Sequence, residues 1–484
     1  MISLENFSVN ENNVLKIFKE LTKVPRPSKK EEKAREFIIE FAKKHNLKYV
    51  VDQAGNVIVK SFKDDSKPVI LQGHMDMVCE KTKDFEIDFD KDPIPYVEEG
   101  DYLISHNTTL GADNGIGVAL ALAALVDKDN PANIEALFTV NEESGMTGAF
   151  NVDPKNITGT TMINLDSANE GMVFGGCAGS KRVEVKFKKT FQDLNDSYIY
   201  YYVIVSGLKG GHSGEDIHLN LGNANLILAR TLYKFNEEFD FKLIDIYGGS
   251  RTNAIPRHAV AKIAVPEDKR ILAQNLIVRL NGDFVKELGI SDPDVRVNLE
   301  NAESSDKALS KDKAQNILDF LNLVPNGVYT LSQMEQALVE TSSNLAVIDS
   351  TEDEIIIHSS IRSSKMSKLE NLAEKIKILA KLTGGIYEEE FGYPAWEFDY
   401  HSKMNEVAKD VYKKLYGKEL VLTVIHAGLE PAVLNDRLKL ENVISMGPDI
   451  YHLHTPGEKV SISSTERTYE YLIEILKEYK RRVK

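Results

Sequence analysis

The stretch Ile70-Leu-Gln-Gly-His-Met-Asp-Met-Val78 decides how the rest of the chain is interpreted. Its apolar start, together with Pro68 and Val69, predicts a buried strand that ends in a glycine, a histidine and an aspartate. Because side chains alternate along an extended chain, His74 and Asp76 can lie on the same side. A histidine with a carboxylate beside it at a strand end is a candidate metal ligand.

The composition is that of an ordinary acidic globular protein. The chain has 484 residues, of which 42% are hydrophobic and 27% charged, and a formal net charge of −15. At roughly 100–200 residues per domain, this length predicts two or three domains. The negative charge argues against a nucleic-acid partner, which would need a basic surface. No apolar run approaches the roughly 18 residues that span a bilayer, so we expect no membrane partner.

The N-terminus and the cysteines predict a cytoplasmic location. Residues 1–8 show neither the basic nor the apolar region of a secretion signal. The two cysteines, Cys79 and Cys177, cannot make a disulfide framework and fit a reducing compartment.

Strands and helices alternate over the first part of the chain. Apolar strands are predicted over 134–140 and 161–165, and acidic residues follow each of them. The glycine-rich segment 109–118 leads into an alanine- and leucine-rich helix, which places Asp113 at a helix N-terminus. This alternation predicts an α/β fold with a mixed, largely parallel sheet, in which ligands gather at the C-terminal strand ends. We expect each of these acidic clusters, Asp113 included, to lie at such an end.

Two polar patterns predict helix starts. Ser28-Lys-Lys-Glu31 has the spacing of a capping box before the amphipathic run 34–47. Ser463-Ser-Thr-Glu466 is expected to cap the last helix in the same way.

A change of pattern near residue 182 predicts an inserted domain. Alternating strands and amphipathic helices follow in an order that recurs once, which suggests two α+β halves and a weak duplication. The segment Gly392-Tyr-Pro-Ala-Trp396 is interpreted as the return linker. The expected domains are 1–182 and 395–484, the two parts of one α/β catalytic domain, with 183–394 as an inserted α+β lid domain.

Five residues in these clusters form a candidate pair of metal sites: His74, Asp113, Glu143, Asp166 and His454. If Asp113 bridges, each ion receives that carboxylate, one imidazole and one further carboxylate, which leaves an open position suited to hydrolytic zinc. Cobalt and manganese are also compatible with these ligands. Glu142 is then available as a general base for a water, and Asp76 can orient the His74 ring. An isolated aspartate, glutamate or histidine after a strand is more often a helix cap or a turn residue than a metal ligand. The occurrence of five such residues together favours the metal sites.

Six motifs resemble those of the M20 metallopeptidases, within that family the cytosolic aminoacyl-histidine (Xaa-His) dipeptidase branch. They are Gly73-His-Met-Asp76, Gly111-Ala-Asp-Asn-Gly115, Asn141-Glu-Glu-Ser-Gly145, Asn164-Leu-Asp-Ser167, Gly210-Gly-His-Ser-Gly214 and the late His454. The resemblance covers essentially the whole chain and implies hydrolysis of unblocked dipeptides. It also implies that Asp113 is the bridging ligand, Glu142 the general base and Asp76 the residue behind His74, with a cis peptide bond between Asp113 and Asn114.

The resemblance implies substrate-contacting residues as well. His212 corresponds to a lid histidine that stabilises the oxyanion of the tetrahedral intermediate. Asn253 and Arg362 correspond to residues that hold the peptide, and Arg362 would pair with its C-terminal carboxylate. Gly428 and Glu430 lie in a loop that faces the substrate, where Glu430 would meet the free amine.

Three alternatives remain open at this point. An N-acyl amino-acid deacylase or a tripeptidase of the same family would share the metal ligands, although the long insertion favours the dipeptidase branch. An aminopeptidase with the same metal pattern on an unlidded or differently lidded fold is a second alternative, against which the loop Gly210-Gly-His-Ser-Gly214 argues. A non-catalytic binding protein with the same fold would be expected to lose Glu142 or a ligand, and each of these is present. Small peptides are the expected partners, and the sequence is compatible with a monomer or a homodimer.

Overall fold

The computed structural model describes residues 14–194, 197–333 and 337–483. The chain packs as two units. The α/β unit contains the residues up to Cys177, Phe398–Ile425 and Leu429–Lys484, and the inserted unit contains Ala178–Glu397 and His426–Gly428. The predicted domain bounds at 182/183 and 394/395 stay an interpretation, and the packing changes units at 177/178 and 397/398. The N-terminal residues 1–8 lie outside the described residues.

The helices contain most of the amphipathic segments of the sequence. They are α1 (Val14–Leu21), α2 (Glu32–Lys44), α3 (Ala112–Val126), α4 (Thr147–Phe150), α5 (Ala224–Glu238), α6 (Arg270–Leu288), α7 (Lys311–Leu323), α8 (Met366–Leu382), α9 (Lys403–Tyr416), α10 (Glu430–Leu438) and α11 (Ile462–Val483). Among the described helices, none has the length and apolar character to cross a membrane.

The strands group by unit. Those of the α/β unit before the insertion are β1 (Lys48–Val51), β2 (Val57–Ser61), β3 (Val69–His74), β4 (Val97–Glu99), β5 (Tyr102–Ile104), β6 (Ile134–Thr139), β7 (Thr161–Asn164) and β8 (Met172–Cys177). The inserted unit has β9 (Gly179–Lys188), β10 (Phe191–Asp193), β11 (Tyr198–Ser206), β12 (Gly211–His212), β13 (Lys242–Gly248), β14 (Ala254–Ile255), β15 (Ala259–Pro266), β16 (Arg296–Asn301), β17 (Lys307–Leu309), β18 (Gly327–Leu331), β19 (Val339–Ser350), β20 (Glu354–Ser363) and β21 (Ile386–Tyr393). The α/β unit then resumes with β22 (Val421–Ile425), β23 (Asn442–Ser445), β24 (Ile450–Tyr451) and β25 (Lys459–Ser461).

The main sheet of the α/β unit has the order β1-β2-β6-β3-β7-β23-β8-β22. Strand β3 lies at its centre and runs parallel to both β6 and β7. The pairs β7–β23 and β8–β22 are also parallel, whereas the pairs β1–β2, β2–β6 and β8–β23 are antiparallel. The predicted mixed, largely parallel sheet is therefore confirmed.

Strand β3 is buried because both of its faces are covered. Ile70 and Leu71 are fully buried, and the alanine- and leucine-rich helix α3 packs against the strand. A strand that is covered on both sides needs apolar residues at successive positions rather than alternating ones, which is why the run before His74 is continuous. His74 is the last residue of this strand.

The strand-end prediction holds for three of the four acidic or histidine clusters. His74 ends β3, Glu142 and Glu143 follow β6, and Asp166 follows β7. It is wrong for Asp113. The strand before Asp113 is β5, which belongs to a separate antiparallel sheet of order β24-β25-β5-β4. Asp113 is nevertheless in the first turn of α3, as the glycine-rich segment predicted.

Both capping predictions are wrong because each helix begins at a residue other than the one that the pattern predicts. Helix α2 begins at Glu32 without a side-chain cap, and the Ser28 hydroxyl donates instead to Asp76 Oδ2 at 2.8 Å. Helix α11 begins at Ile462, so Ser463 lies inside it. There, Ser461 Oγ accepts the Ser464 N–H at 3.1 Å.

The inserted unit is built on one antiparallel sheet of order β16-β11-β15-β13-β19-β20-β9-β21, with β18 paired to β19. Strand β9 comes from the start of the insertion and lies between β20 and β21 from its end. The two predicted α+β halves therefore share one sheet, in which a strand of the first half lies between strands of the second. Helices α5 to α8 and this sheet enclose a hydrophobic core of their own.

The central position of β3 gives a prediction about stability. Ile70→Ala should lower the free energy of unfolding by about 2–5 kcal/mol, since Ile70 is fully buried and a cavity would remain. Urea denaturation followed by circular dichroism would measure the loss. Val50→Ala is the control, because Val50 on the outer strand β1 is 37% exposed and should change stability by less than about 0.5 kcal/mol. Equal losses in the two variants would contradict this account of the core.

Candidate active site

The first half of the site forms around His74. Its Nε2 atom lies 3.0 Å from Asp113 Oδ1 and 3.6 Å from Asp166 Oδ1. Burial opposes a charge on the ring, but Asp166, Asp113 and Asp76 outweigh this effect and hold the pKa of His74 well above its usual value. Burial also raises the pKa of Asp166 to about 8. A cationic imidazole between carboxylates marks a place where a divalent cation would compete with a proton.

The second half forms around His454. Its Nε2 atom lies 3.1 Å from Asp113 Oδ2 and 3.1 Å from Glu143 Oε1. Hydrogen bonds to these two carboxylates raise the pKa of His454 to about 11. The two oxygens of Asp113 thus face different histidines. Burial opposes the ionisation of Asp113, but the hydrogen bonds from His454 and His74 outweigh it, and its pKa lies well below the usual value.

These donors fit a pair of divalent cations. Two groups meet the distance requirement for a shared ion and have Asp113 in common, namely His74–Asp113–Asp166 and Asp113–Glu143–His454. Nitrogen and oxygen donors of this kind suit zinc, and the Glu143 carboxylate is buried with Oε1 facing His454 Nε2. The five residues named from the sequence are therefore brought together in one place.

Asp76 links the segments that follow β3 and β6. Its Oδ1 accepts the Glu142 N–H at 3.0 Å, and its Oδ2 accepts the Glu143 N–H at 3.2 Å. The Nδ1 atom of His74 lies 3.1 Å from the Asp76 carbonyl oxygen and 3.3 Å from Oδ1. Both are acceptors, so Nδ1 carries a hydrogen, and when the ring is neutral its Nε2 lone pair faces Asp113.

Glu142 lies beside the same group of donors. One of its oxygens falls within a possible ligand group with His74 and Glu143. Burial raises the pKa of Glu142 well above its usual value, and the negative charges of Glu430, Asp166 and Glu143 add to this effect. Such a carboxyl group holds a proton more readily than an ordinary glutamate does, as a general base requires.

The backbone at Asp113 is held by neighbours on two sides. The Asp113–Asn114 peptide bond is cis, as the resemblance implies. The Asn114 amide accepts the His74 N–H at 3.1 Å and donates to the Leu165 carbonyl oxygen at 2.6 Å. This side chain therefore ties the start of α3 to the ends of β3 and β7.

Glu430 is buried in the α/β unit. Its Oε2 accepts hydrogen bonds from Gln72 Nε2 at 2.5 Å and from Thr139 Oγ1 at 2.7 Å, while Oε1 has no partner in the described chain. Burial raises the pKa of Glu430 to about 7. The contact of Glu430 with a substrate amine stays a prediction. Its side chain does not form a surface ion pair, the ordinary explanation for such a residue, because Glu430 is only 1% exposed.

Within the inserted unit, His212 has a defined tautomer. Its Nδ1 accepts the Glu215 N–H at 3.2 Å, and burial together with the Arg362 charge lowers the pKa of the ring. A neutral ring whose Nδ1 accepts must carry its hydrogen on Nε2. His212 is therefore a hydrogen-bond donor at Nε2 near neutral pH.

The other predicted residues of the inserted unit lie near His212. A Cβ atom on Gly214 would meet the His212 ring at 3.2 Å and the Arg362 guanidinium at 3.3 Å. Arg362 is 7% exposed and donates to the Tyr393 hydroxyl at 2.9 Å. The Tyr393 ring closely approaches Gly428. The carbonyl oxygen of Asn253 accepts the Ser213 N–H at 2.8 Å. Asn253 itself is exposed on a turn.

Sequence reasoning missed two charged residues under the site, Arg26 and Glu458. Each is 1% exposed. In the sequence, Arg26 is distinguished only by its position between Pro25 and Pro27, and Glu458 only by its position four residues after His454. Neither signal predicts burial.

A further group of possible ligands, Glu184, His358 and Glu390, lies in the inserted unit. One oxygen of Glu184 there already pairs with Lys186 Nζ at 2.7 Å. We assign no role to this group.

Comparison with known proteins agrees with the geometry. Residues 70–478 match the model of peptidase family M20/M25/M40. The chain is 36% identical over 468 residues to the cytosol non-specific dipeptidase of Escherichia coli strain K12, with 96% of each chain covered.

This chain belongs to peptidase family M20/M25/M40.

Solved structures share the fold of this chain. The crystal structure of aminoacylhistidine dipeptidase from Vibrio alginolyticus matches with a TM-score of 0.87 at 34% identity, covering 96% of both chains. The aminopeptidase PepT from Bacillus cereus matches with a TM-score of 0.55 at 18% identity, covering 97% of this chain and 99% of that one, and this likeness concerns the fold alone.

The cysteine near the site gives a testable prediction. Burial raises the pKa of the Cys79 thiol to about 11, so at pH 8 almost all of it is protonated and unreactive. Alkylation by iodoacetamide, measured on a Cys177→Ser variant, should be at least about tenfold slower in the folded protein than in urea, where an ordinary thiol pKa is restored. The rate in the folded protein should rise steadily from pH 8 to pH 10. Equal rates in the folded and unfolded protein at pH 8 would contradict the shift.

Proposed function

We propose that this chain is a metal-dependent dipeptidase that hydrolyses unblocked dipeptides, Xaa-His among them. The observation that carries the proposal is the Asp113 carboxylate, whose two oxygens lie 3.0 Å from His74 Nε2 and 3.1 Å from His454 Nε2. The substrate class follows the relatives, one described as a non-specific dipeptidase and one as an aminoacylhistidine dipeptidase.

The five clustered residues would hold two divalent ions. His74 and Asp166 would bind one ion, His454 and Glu143 the other, and Asp113 both. Zinc is the expected metal, with cobalt and manganese as alternatives. When bound, such ions polarise a carbonyl group and lower the pKa of a water.

Glu142 is proposed as the general base. It would take a proton from the attacking water and pass it to the amine that leaves when the peptide bond breaks. Its raised pKa and its place beside His74 support this role. Asp76 would keep the His74 ring oriented through the acceptors that face Nδ1.

The inserted unit is proposed to contribute substrate contacts. The Nε2–H of His212 would donate to the carbonyl oxygen of the substrate as negative charge develops there. Arg362 would pair with the C-terminal carboxylate, with Asn253 and Gly428 contacting the peptide. The burial of the Arg362 guanidinium supports its role, because a carboxylate held there would be shielded from water.

Recognition of the free amine is assigned to Glu430. Its Oε1 is a buried acceptor without a hydrogen-bond partner among the described residues. The pKa of Glu430 is about 7. An ammonium group beside it would lower this pKa, because the positive charge stabilises the ionised carboxylate.

The remaining proposals concern the setting of the protein. Small peptides are the proposed partners, without nucleic acid or membrane, and the cytoplasm is the proposed location, as for the Escherichia coli relative. Monomer and homodimer remain equally compatible with the chain. A tripeptidase or N-acyl amino-acid deacylase would use the same five ligands, and only substrate tests separate these activities.

Hydrolysis of a defined substrate panel tests the function. Chelator-treated protein should be inactive, and adding zinc or manganese should restore cleavage of Ala-His and Leu-Leu. We expect no cleavage of N-acetyl-Leu and much slower cleavage of Ala-Ala-Ala, because neither presents an amine and a carboxylate at dipeptide spacing. Release of free amino acids would be measured by chromatography. Activity confined to the tripeptide or the acylated compound would replace the dipeptidase assignment and leave the metal site standing.

Glu142→Gln tests the general base. The amide cannot accept a proton from water, so kcat should fall by about 10²-fold or more, while the metal content stays that of the wild type. Glu135→Gln is the control for loss of a buried carboxylate in the same segment and should keep near-normal kcat, because Glu135 is fully buried near the start of β6 and accepts the N–H groups of Thr158 at 2.8 Å and Gly159 at 2.9 Å. Near-normal turnover by Glu142→Gln would overturn the assignment.

A further inference from the structure

The segment after β3 and the loop before α3 are joined by one buried side chain, that of Arg26. Its guanidinium donates to the carbonyl oxygens of Met75 at 3.1 Å and Asp76 at 2.9 Å, on the segment that follows His74. It also donates to the carbonyl oxygen of Gly111, two residues before Asp113. One rigid, planar group therefore fixes the separation of the segments that carry two of the proposed ligands.

Glu458 joins the same loop to the segment of His454. Its carboxylate accepts the N–H groups of Leu110 at 2.7 Å, Gly111 at 3.0 Å and Asp113 at 3.2 Å. Glu458 lies only four residues after His454. The third ligand-bearing segment is thereby attached to the backbone of Asp113 itself.

The charge of Glu458 favours the charged form of Arg26. Burial lowers the pKa of Arg26, and Glu458 is first among the charges that oppose this shift, ahead of Asp76. Removing Glu458 would therefore leave the buried Arg26 charge less well compensated.

Glycines make room for this arrangement. A Cβ atom on Gly111 would lie 2.6 Å from Arg26 Nη2, and so would a Cβ atom on Gly115. Gly111 also has a φ of 70°, which disfavours other residues. The glycines of this motif thus admit the Arg26 guanidinium between the loop and the segment after β3.

We propose that Arg26 and Glu458 are positioning residues that set the spacing of His74, Asp113 and His454 and thereby the affinity for the metal pair. The inference rests on the proposed metallopeptidase function. Both residues act through backbone groups, since the hydrogen bonds described above end on carbonyl oxygens and amide hydrogens. They are distinct from the proposed ligands and from the base.

The test is metal affinity, measured by competition with a chromogenic chelator, together with zinc content and the melting temperature of the metal-free protein. Arg26→Lys keeps the charge but loses the planar fork, and Glu458→Gln keeps an acceptor but loses the charge. Each should lower zinc affinity by about tenfold or more, as losses of groups that orient metal ligands do. Glu135→Gln and Arg437→Met are the controls, since Arg437 also donates to a backbone carbonyl, that of Val152 at 2.6 Å. Both controls should keep the wild-type affinity.

A double variant separates positioning from simple charge balance. Arg26→Met with Glu458→Gln removes both buried charges, so its metal-free form should melt at a higher temperature than that of Glu458→Gln alone, in which Arg26 stays buried without the Glu458 charge. Its zinc affinity should nevertheless stay at least about tenfold below wild type, because the links to the three segments are gone. Recovery of full affinity in the double variant, or wild-type affinity in both conservative single variants, would overturn the inference. Zinc binding by the wild type without dipeptide hydrolysis would overturn only the proposed substrate, and absence of zinc binding would overturn both.

Discussion

The Asp113 carboxylate lies between two imidazoles, and this arrangement requires the whole α/β unit to pack as it does. His74 reaches it from the central strand β3, and His454 reaches it from the loop between β24 and β25. These segments are distant in sequence, so their convergence requires the sheet, helix α3 and the small antiparallel sheet to pack correctly together. A metal pair would be bound where this packing is completed, which couples the fold of the unit to its chemistry.

The second requirement is that acidic groups of like charge stay close together in a buried place. Burial and mutual repulsion raise the pKa values of Glu142, Asp166 and Glu430, whereas the imidazoles lower that of Asp113. Groups with the same chemistry are thereby given different proton affinities by their surroundings. In the proposed function, this division would allow one carboxylate to act as a ligand and its neighbour to exchange a proton.

Backbone amides and carbonyls do much of the positioning. Asp76 binds the N–H groups of Glu142 and Glu143, and Asn114 joins the ends of β3 and β7. The hydroxyl of Ser28 also donates to Asp76, and α2 begins only at Glu32 with Glu31 at the N-cap position, so Ser28 lies too far before the helix to cap it.

The sequence by itself determined the sheet class, the strand ends at His74, Glu143 and Asp166, and the five candidate ligands, because apolar runs and glycine-rich turns are local patterns. It could not reveal that β5 belongs to another sheet, that β9 lies between β20 and β21, or that Arg26 and Glu458 are buried. Those features depend on which distant segments pack together, and a charged residue carries no local mark of the partner that compensates its burial. Only the tertiary structure decided them.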